Sequence, residues 1–171
     1  TADVKVGYHA VTATINATAN IDLRTPDNVI GITTENLNGQ FVPLKGEVQI
    51  FKLKAPDAPV RTRPWEAPDL SLLTQQEFQK LFPHDAYSGS TDPKTWPTQE
   101  LLLELPFDTH SSKQLKYRSE TDWPLGYYRM QLNAVDSGGQ VVNDFYYFNV
   151  TDSRSKAVPD NSLVIFELDK P

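Results

Sequence analysis

The sequence predicts an all-β chain, a seven-stranded antiparallel β-sandwich with a loop-rich insertion that contains one short α-helix. Three observations carry that expectation. Gly126–Val150 (GYYRMQLNAVDSGGQVVNDFYYFNV) alternates with a period of two on both sides of a polar turn, the pattern of a hairpin with one face buried. Short β-branched and aromatic runs recur through the rest of the chain, separated by turn residues. A single stretch, residues 56–99, breaks that rhythm and carries helical spacing instead.

Taken in order, the strands are expected over 8–18, 28–36, 46–54, 100–107, 113–118, 126–136 and 140–151. The first belongs to a longer strand-like run, Val4–Ile15, expected to bend near Gly7. Ile30 and Ile32 share a face of the second, and Asn38-Gly39 is a tight-turn signal after it. Val48 and Ile50 alternate with Glu47 and Gln49, after which Phe51 and Leu53 fall on the polar side. That outer face therefore turns apolar where the strand ends, and the insertion is the segment expected to cover it. Leu101, Leu103, Leu105 and Phe107 share a face of the fourth strand. Trp123-Pro124-Leu125-Gly126 forms a corner that feeds the hairpin, whose turn is Asp136-Ser137-Gly138-Gly139.

Within the insertion, Thr74-Gln75-Gln76-Glu77 has the spacing of a capping box, and Pro83 stops the helix that follows, over about 75–82. Phe78, Leu81 and Phe82 lie at i, i+3 and i+4, one apolar stripe on a helix too short to stand alone. This stripe is expected to dock on the sandwich beside Phe51 and Leu53. Residues 1–152 thus read as one sandwich domain, and 153–171 as a linker plus an extra strand, Leu163–Leu168, leading towards a following domain.

Composition excludes several function classes. A net charge of −6 with no Lys/Arg run leaves no basic surface for nucleic acid. The absence of cysteine removes disulfides, thiolate metal sites and a Cys nucleophile. No apolar run reaches the ~18 residues that span a bilayer. The chain starts at Thr1 without a signal-peptide pattern, so it reads as a mature or excised segment.

Chemistry-bearing motifs are equally sparse. His9, His84 and His110 lie on different elements without metal-ligand spacing, so no cofactor or metal is expected. No G-x-S-x-G, P-loop or G-x-G-x-x-G occurs, and Asp136–Gly139 precedes a strand, where no helix N-terminus waits for a phosphate. Trp65, Tyr87 and Trp96 in the insertion allow two readings. They form a sugar-stacking platform, or they pack on the sandwich to anchor an insertion with little other apolar surface. The second is favoured.

Five segments carry a resemblance: GEVQIFKLKAPD (46–57), RPWEAPD (63–69), EFQKLFPHDAY (77–87), DPKTWP (92–97) and WPLGYYRMQLNAVDSGGQVV (123–142). Over about residues 8–152 the chain resembles the macroglobulin-type domains of bacterial alpha-2-macroglobulins, particularly the long forms of Bacteroidetes-type bacteria. The resemblance implies a seven-stranded sandwich, one of many in a large protease-trapping protein of the periplasm or cell envelope, lipid-anchored through another part of the chain. The family's covalent chemistry belongs to a Cys-Gly-Glu-Gln thioester, which a chain without cysteine cannot contain. The expected role is that of a non-catalytic module whose partners are neighbouring domains of the same polypeptide, with proteases met only through the full-length protein. The alternatives are a carbohydrate- or surface-binding module using Trp65, Trp96 and Tyr87, and a sandwich glycosidase, the least favoured for want of a catalytic constellation.

Overall fold

The computed structural model describes residues 11–25, 27–56, 61, 70, 72–87, 91–119 and 123–159. They form a two-layer β-sandwich of eight strands with one short helix. The strands are β1 (Val11–Asn16), β2 (Asn20–Asp22), β3 (Asp27–Asn36), β4 (Lys45–Leu53), β5 (Thr98–Asp108), β6 (Gln114–Arg118), β7 (Gly126–Val135) and β8 (Val141–Thr151), with helix α1 (Gln75–Leu81) between β4 and β5. One sheet has the order β1-β3-β6, the other β2-β8-β7-β4-β5. The expected strands at 28–36, 46–54, 100–107, 113–118, 126–136 and 140–151 are present with ends displaced by a few residues, whereas Leu163–Leu168 lies outside the described residues.

The expectation of seven antiparallel strands needs one correction. An eighth strand, β2, pairs parallel with β8 through Asn20↔Asn149, Ile21↔Val150 and Asp22↔Thr151. The chain leaves the first sheet after Asn16 and joins the second at Asn20, so a run that reads as a strand and a turn becomes two strands in different layers. Its only strong apolar signal is Ile21, which is buried.

Alternation dictates which side chains meet between the layers. Val11, Ala13 and Ile15 of β1 and Ile30 and Ile32 of β3 face Val48 and Ile50 of β4, Tyr128, Met130 and Leu132 of β7, and Phe148 and Val150 of β8. At one end of this core four aromatic rings stack in series. Tyr117 on β6 lies 6.4 Å from Trp123, Trp123 5.5 Å from Tyr128, and Tyr128 5.3 Å from Phe148, with interplanar angles of 23°, 17° and 27°. The Tyr128 hydroxyl donates to the Pro124 carbonyl, which pins the corner before β7. Burial pushes the Tyr117 phenol above its ordinary acidity range, the sign expected when the charged form is desolvated. Lys52 reaches into the same end, with Nζ 5.3 Å from the Tyr128 ring centroid.

The opposite end is held by hydroxyls. Thr34 Oγ1 donates to the Val42 carbonyl at 2.6 Å and lies 3.2 Å from Thr109 Oγ1, which in turn accepts from the Leu44 amide at 2.8 Å. These buried groups tie β3 of one sheet to the entrance of β4 and the exit of β5 in the other, and each finds a partner, as buried polar atoms must.

One open edge is blocked by side chains. The Ile15 amide on the outer side of β1 donates to Asp144 Oδ2 at 2.7 Å, and Tyr146 Oη donates to the Ala17 carbonyl at 2.7 Å. Both partners stand on β8, so the outer edge of the three-stranded sheet is occupied where a second chain would otherwise add.

Two turns repeat the same chemistry. Asp136 Oδ1 accepts from the amides of Gly138 and Gln140, and Asn36 Oδ1 from those of Asn38 and Gln40, with Gly139 and Gly39 at φ of 79° and 76°. The stretch Asp136–Gly139 is thus a hairpin turn.

Gly46 marks a close approach: a Cβ there would stand 2.8 Å from that of Ala134 and collide with the Asn133 carbonyl oxygen of β7. We predict that Gly46→Ala costs about 1–3 kcal/mol or more by urea denaturation, as overpacking against backbone does. Tyr128→Phe, which removes only the bond to Pro124, is expected to cost about 1 kcal/mol.

Candidate functional site

The insertion that the sequence marks as distinctive is built from three local devices. Thr74 caps α1, its hydroxyl accepting from the Glu77 amide at 3.3 Å while Glu77 Oε2 accepts from the Thr74 amide at 2.9 Å. That bond from the Thr74 backbone, with a second from its hydroxyl, holds the Glu77 carboxyl below its usual range. Arg61 and Asp85 form an ion pair and an isolated backbone bridge that closes the loop after the helix. Asp92 caps the 3-10 turn Pro93–Thr95, its carboxylate accepting from the Lys94 amide at 3.0 Å.

The docking expectation for α1 changes here. Phe78 is buried, with its ring 5.1 Å from Phe82 and 5.4 Å from Tyr87, both in the insertion. Leu81 and Phe82, however, remain 61% and 46% exposed. The stripe does not dock as a whole because α1 ends at Leu81: Phe82 is the C-cap, with φ −131° and ψ 68°, and the i+4 geometry no longer applies to it. Only one of the three predicted side chains is buried.

Trp96 takes the place assigned to the helix. It is 6% exposed and stands edge-on to Tyr127 of β7, centroids 5.3 Å apart, on the outer face that Leu53 shares by alternation. Leu53 is fully buried, and the Lys54 amide donates to the Pro97 carbonyl at 2.9 Å, binding the segment to the end of β4. Phe51 remains half-buried, with the Arg129 guanidinium 5.7 Å from its ring.

Of the three aromatics read as a sugar platform, the two that are described do not come together as one. Trp96 offers no exposed face, and Tyr87 is half-buried against Phe78 with its hydroxyl donating to the Leu73 carbonyl at 3.1 Å. Trp65 lies outside the described residues. Tyr127 and Tyr147, half-buried on the outer face of β7 and β8, were not singled out by the sequence. The signal was present in the alternation, but both residues read as ordinary strand positions.

Charged groups serve structure wherever their acidity is displaced. Asp152 is held below the usual carboxylate range by the two-pronged bond from Arg24, at 2.7 and 2.6 Å, and Asp108 by Lys45 at 3.0 Å. Partial burial pushes the Asp22 carboxyl up, but hydrogen bonds from Ser153 and the Arg24 amide outweigh it, and the net direction is down. Among the described residues, no group of three or more His, Cys, Asp or Glu side chains is placed to hold a metal ion, and no helix is long and apolar enough to cross a membrane.

No known protein family matches the chain, and no curated protein is significantly similar to it. Among solved structures, it is similar to the crystal structure of the PmoD soluble domain from Methylocystis sp. (Rockwell). That likeness has 15% identity over 86% of this chain and 95% of the other, with a TM-score of 0.40.

Two predictions follow from this geometry. Phe78→Ala should unravel the insertion, read as faster amide exchange over 75–87, whereas Leu81→Ala should stay within about 0.5 kcal/mol of the parent in stability. Asp22, Asp108 and Asp152 bind a proton less readily folded than unfolded. Their contribution is therefore complete at neutral pH and lost as pH falls below about 4 through their lowered values. Melting temperature should drop over that interval, and less steeply in Arg24→Ala. What the geometry assembles is an all-β sandwich with a helix-bearing insertion seated at one end by a buried tryptophan.

Proposed function

We propose that the chain is a non-catalytic spacer and interaction module of a large alpha-2-macroglobulin-like protein of the bacterial periplasm or cell envelope. The observation that carries this reading is the use made of charge. Asp22, Glu77, Asp108 and Asp152 are all shifted downward, by turn bonds, a helix cap or ion pairs. A general acid needs the opposite shift, from burial without a partner. Carboxylates committed in this way serve turns, a cap and ion pairs, which supports a structural role.

The resemblance supplies the larger setting. Two of the segments that carry it, EFQKLFPHDAY and DPKTWP, contain most of the helix and the Trp96 seat, so they are the parts that distinguish this sandwich from a plain one. The loss of an exposed Trp96 counts against the insertion as a sugar platform. In this role the module would keep neighbouring domains of the same polypeptide at a defined separation, and proteases would meet it only as part of the full-length protein.

The isolated chain, incubated in excess with trypsin, chymotrypsin or elastase, should leave hydrolysis of a protein substrate unchanged. Stoichiometric inhibition by the chain alone would overturn the reading.

A further inference from the structure

The outer face of the five-stranded sheet carries a groove of about 330 Å³ where β7, β8 and β2 meet the Pro93–Thr95 turn. Its walls include Tyr127, Tyr147 and Pro93, with Asp92, Lys94 and Asn20 around it. Asn149 stands directly opposite Tyr127 in the β7–β8 ladder and opposite Asn20 in the β2–β8 ladder, which sets it in the floor between the walls. Its side-chain oxygen is buried and has no hydrogen-bond partner.

A buried acceptor left alone is unfavourable, so the protein carries a local penalty that a suitable ligand would relieve. The walls are firm before anything binds. Tyr127 is braced by the edge of the buried Trp96, and Trp96 is held in turn by the capped turn before it and by the Lys54–Pro97 backbone bond after it. Among the described residues, neither the Tyr127 nor the Tyr147 hydroxyl has a hydrogen-bond partner within the protein, so both can serve a ligand.

We propose that this groove binds a pyranose ring, one sugar residue of a glycan, and that Asn149, Tyr127 and Tyr147 recognise it. The ligand must present an apolar face to a tyrosine ring and a hydrogen-bond donor to a buried amide oxygen. A sugar offers both, an axial C–H face and a rim of hydroxyls, and its hydroxyl satisfies the Asn149 amide in either orientation because it both donates and accepts. A proline-rich peptide also suits tyrosine-lined grooves, but its tertiary amides bring carbonyls without donors. A β-strand addition is not available at this floor, since β8 is already paired on both sides, with β7 and β2.

Neither Tyr87 nor Trp96 lines the groove, and the proposal goes beyond the spacer role: the module would also touch glycan.

The test is titration of the uniformly 15N-labelled chain with glucose, galactose, mannose, N-acetylglucosamine and their β-linked disaccharides, followed by amide shifts. The expected result is saturable shifts confined to residues 19–20, 92–94, 127 and 147–149 with at least one of these sugars. Tyr147→Ala and Asn149→Leu should each weaken that binding by about tenfold, a loss of about 1.4 kcal/mol. Near-UV circular dichroism monitors the fold of both variants. Should Asn149→Leu disturb it, Asn149→Asp provides a second probe of the floor, expected to alter sugar preference. Absence of saturable shifts with every sugar, shifts mapping elsewhere, or full binding by a folded Tyr147→Ala chain would each overturn the proposal.

Discussion

The stack of Tyr117, Trp123, Tyr128 and Phe148 is the interaction on which the rest of this sandwich depends. It begins on β6 in the small sheet, passes through the corner before β7, and ends on β8 in the large sheet. One run of rings therefore joins both layers and one connection. Aromatic side chains of this size contribute most of the apolar area at such a point, and near-parallel offset rings add a further term of about 0.5–1.5 kcal/mol per pair. The hydroxyl of Tyr128 fixes the corner as well, so one residue couples layer spacing to the position from which the central strand starts.

From that end the geometry propagates along β4 and β7. Their register is unbroken from Gly46↔Ala134 to Lys52↔Tyr128, while the register with β5 slips between Ile50 and Leu53. The irregular side is where the insertion re-enters, with β5 starting at Thr98 just after Trp96. At the far end the Thr34 and Thr109 hydroxyls join the layers through directional bonds. Aromatic contact thus sets one end and hydrogen bonding the other.

The seating of Trp96 links architecture to surface. Buried beside the end of β4, Trp96 is closed to solvent, and by bracing Tyr127 it shapes the groove over Asn149. The sugar-platform reading, the less favoured of the two, thus finds no exposed face on Trp96. The exposed Leu81 and Phe82 show the other side of the same arrangement: once Trp96 occupies the apolar end of the strand, the helix stripe is not required there.

Much of this was legible in the residues because it is governed by neighbours in the chain. The hairpin, the Asp136 and Asn36 turns, the Thr74–Glu77 box and the inward sets of β3, β4 and β7 all follow from spacing and local hydrogen bonding. The parallel β2 was not legible, since its partner lies about 130 residues away and Ile21 alone marks it. Nor was the fate of the aromatics, because a tryptophan beside a proline has the same local pattern whether it faces solvent or a strand end. The sequence by itself determined an all-β sandwich interrupted by a capped helix, through periodicity and turn chemistry, which are local. Only the tertiary structure decided which sheet each strand joined, which aromatic covered Leu53, and where a buried acceptor was left without a donor, because those depend on surfaces that meet only after folding.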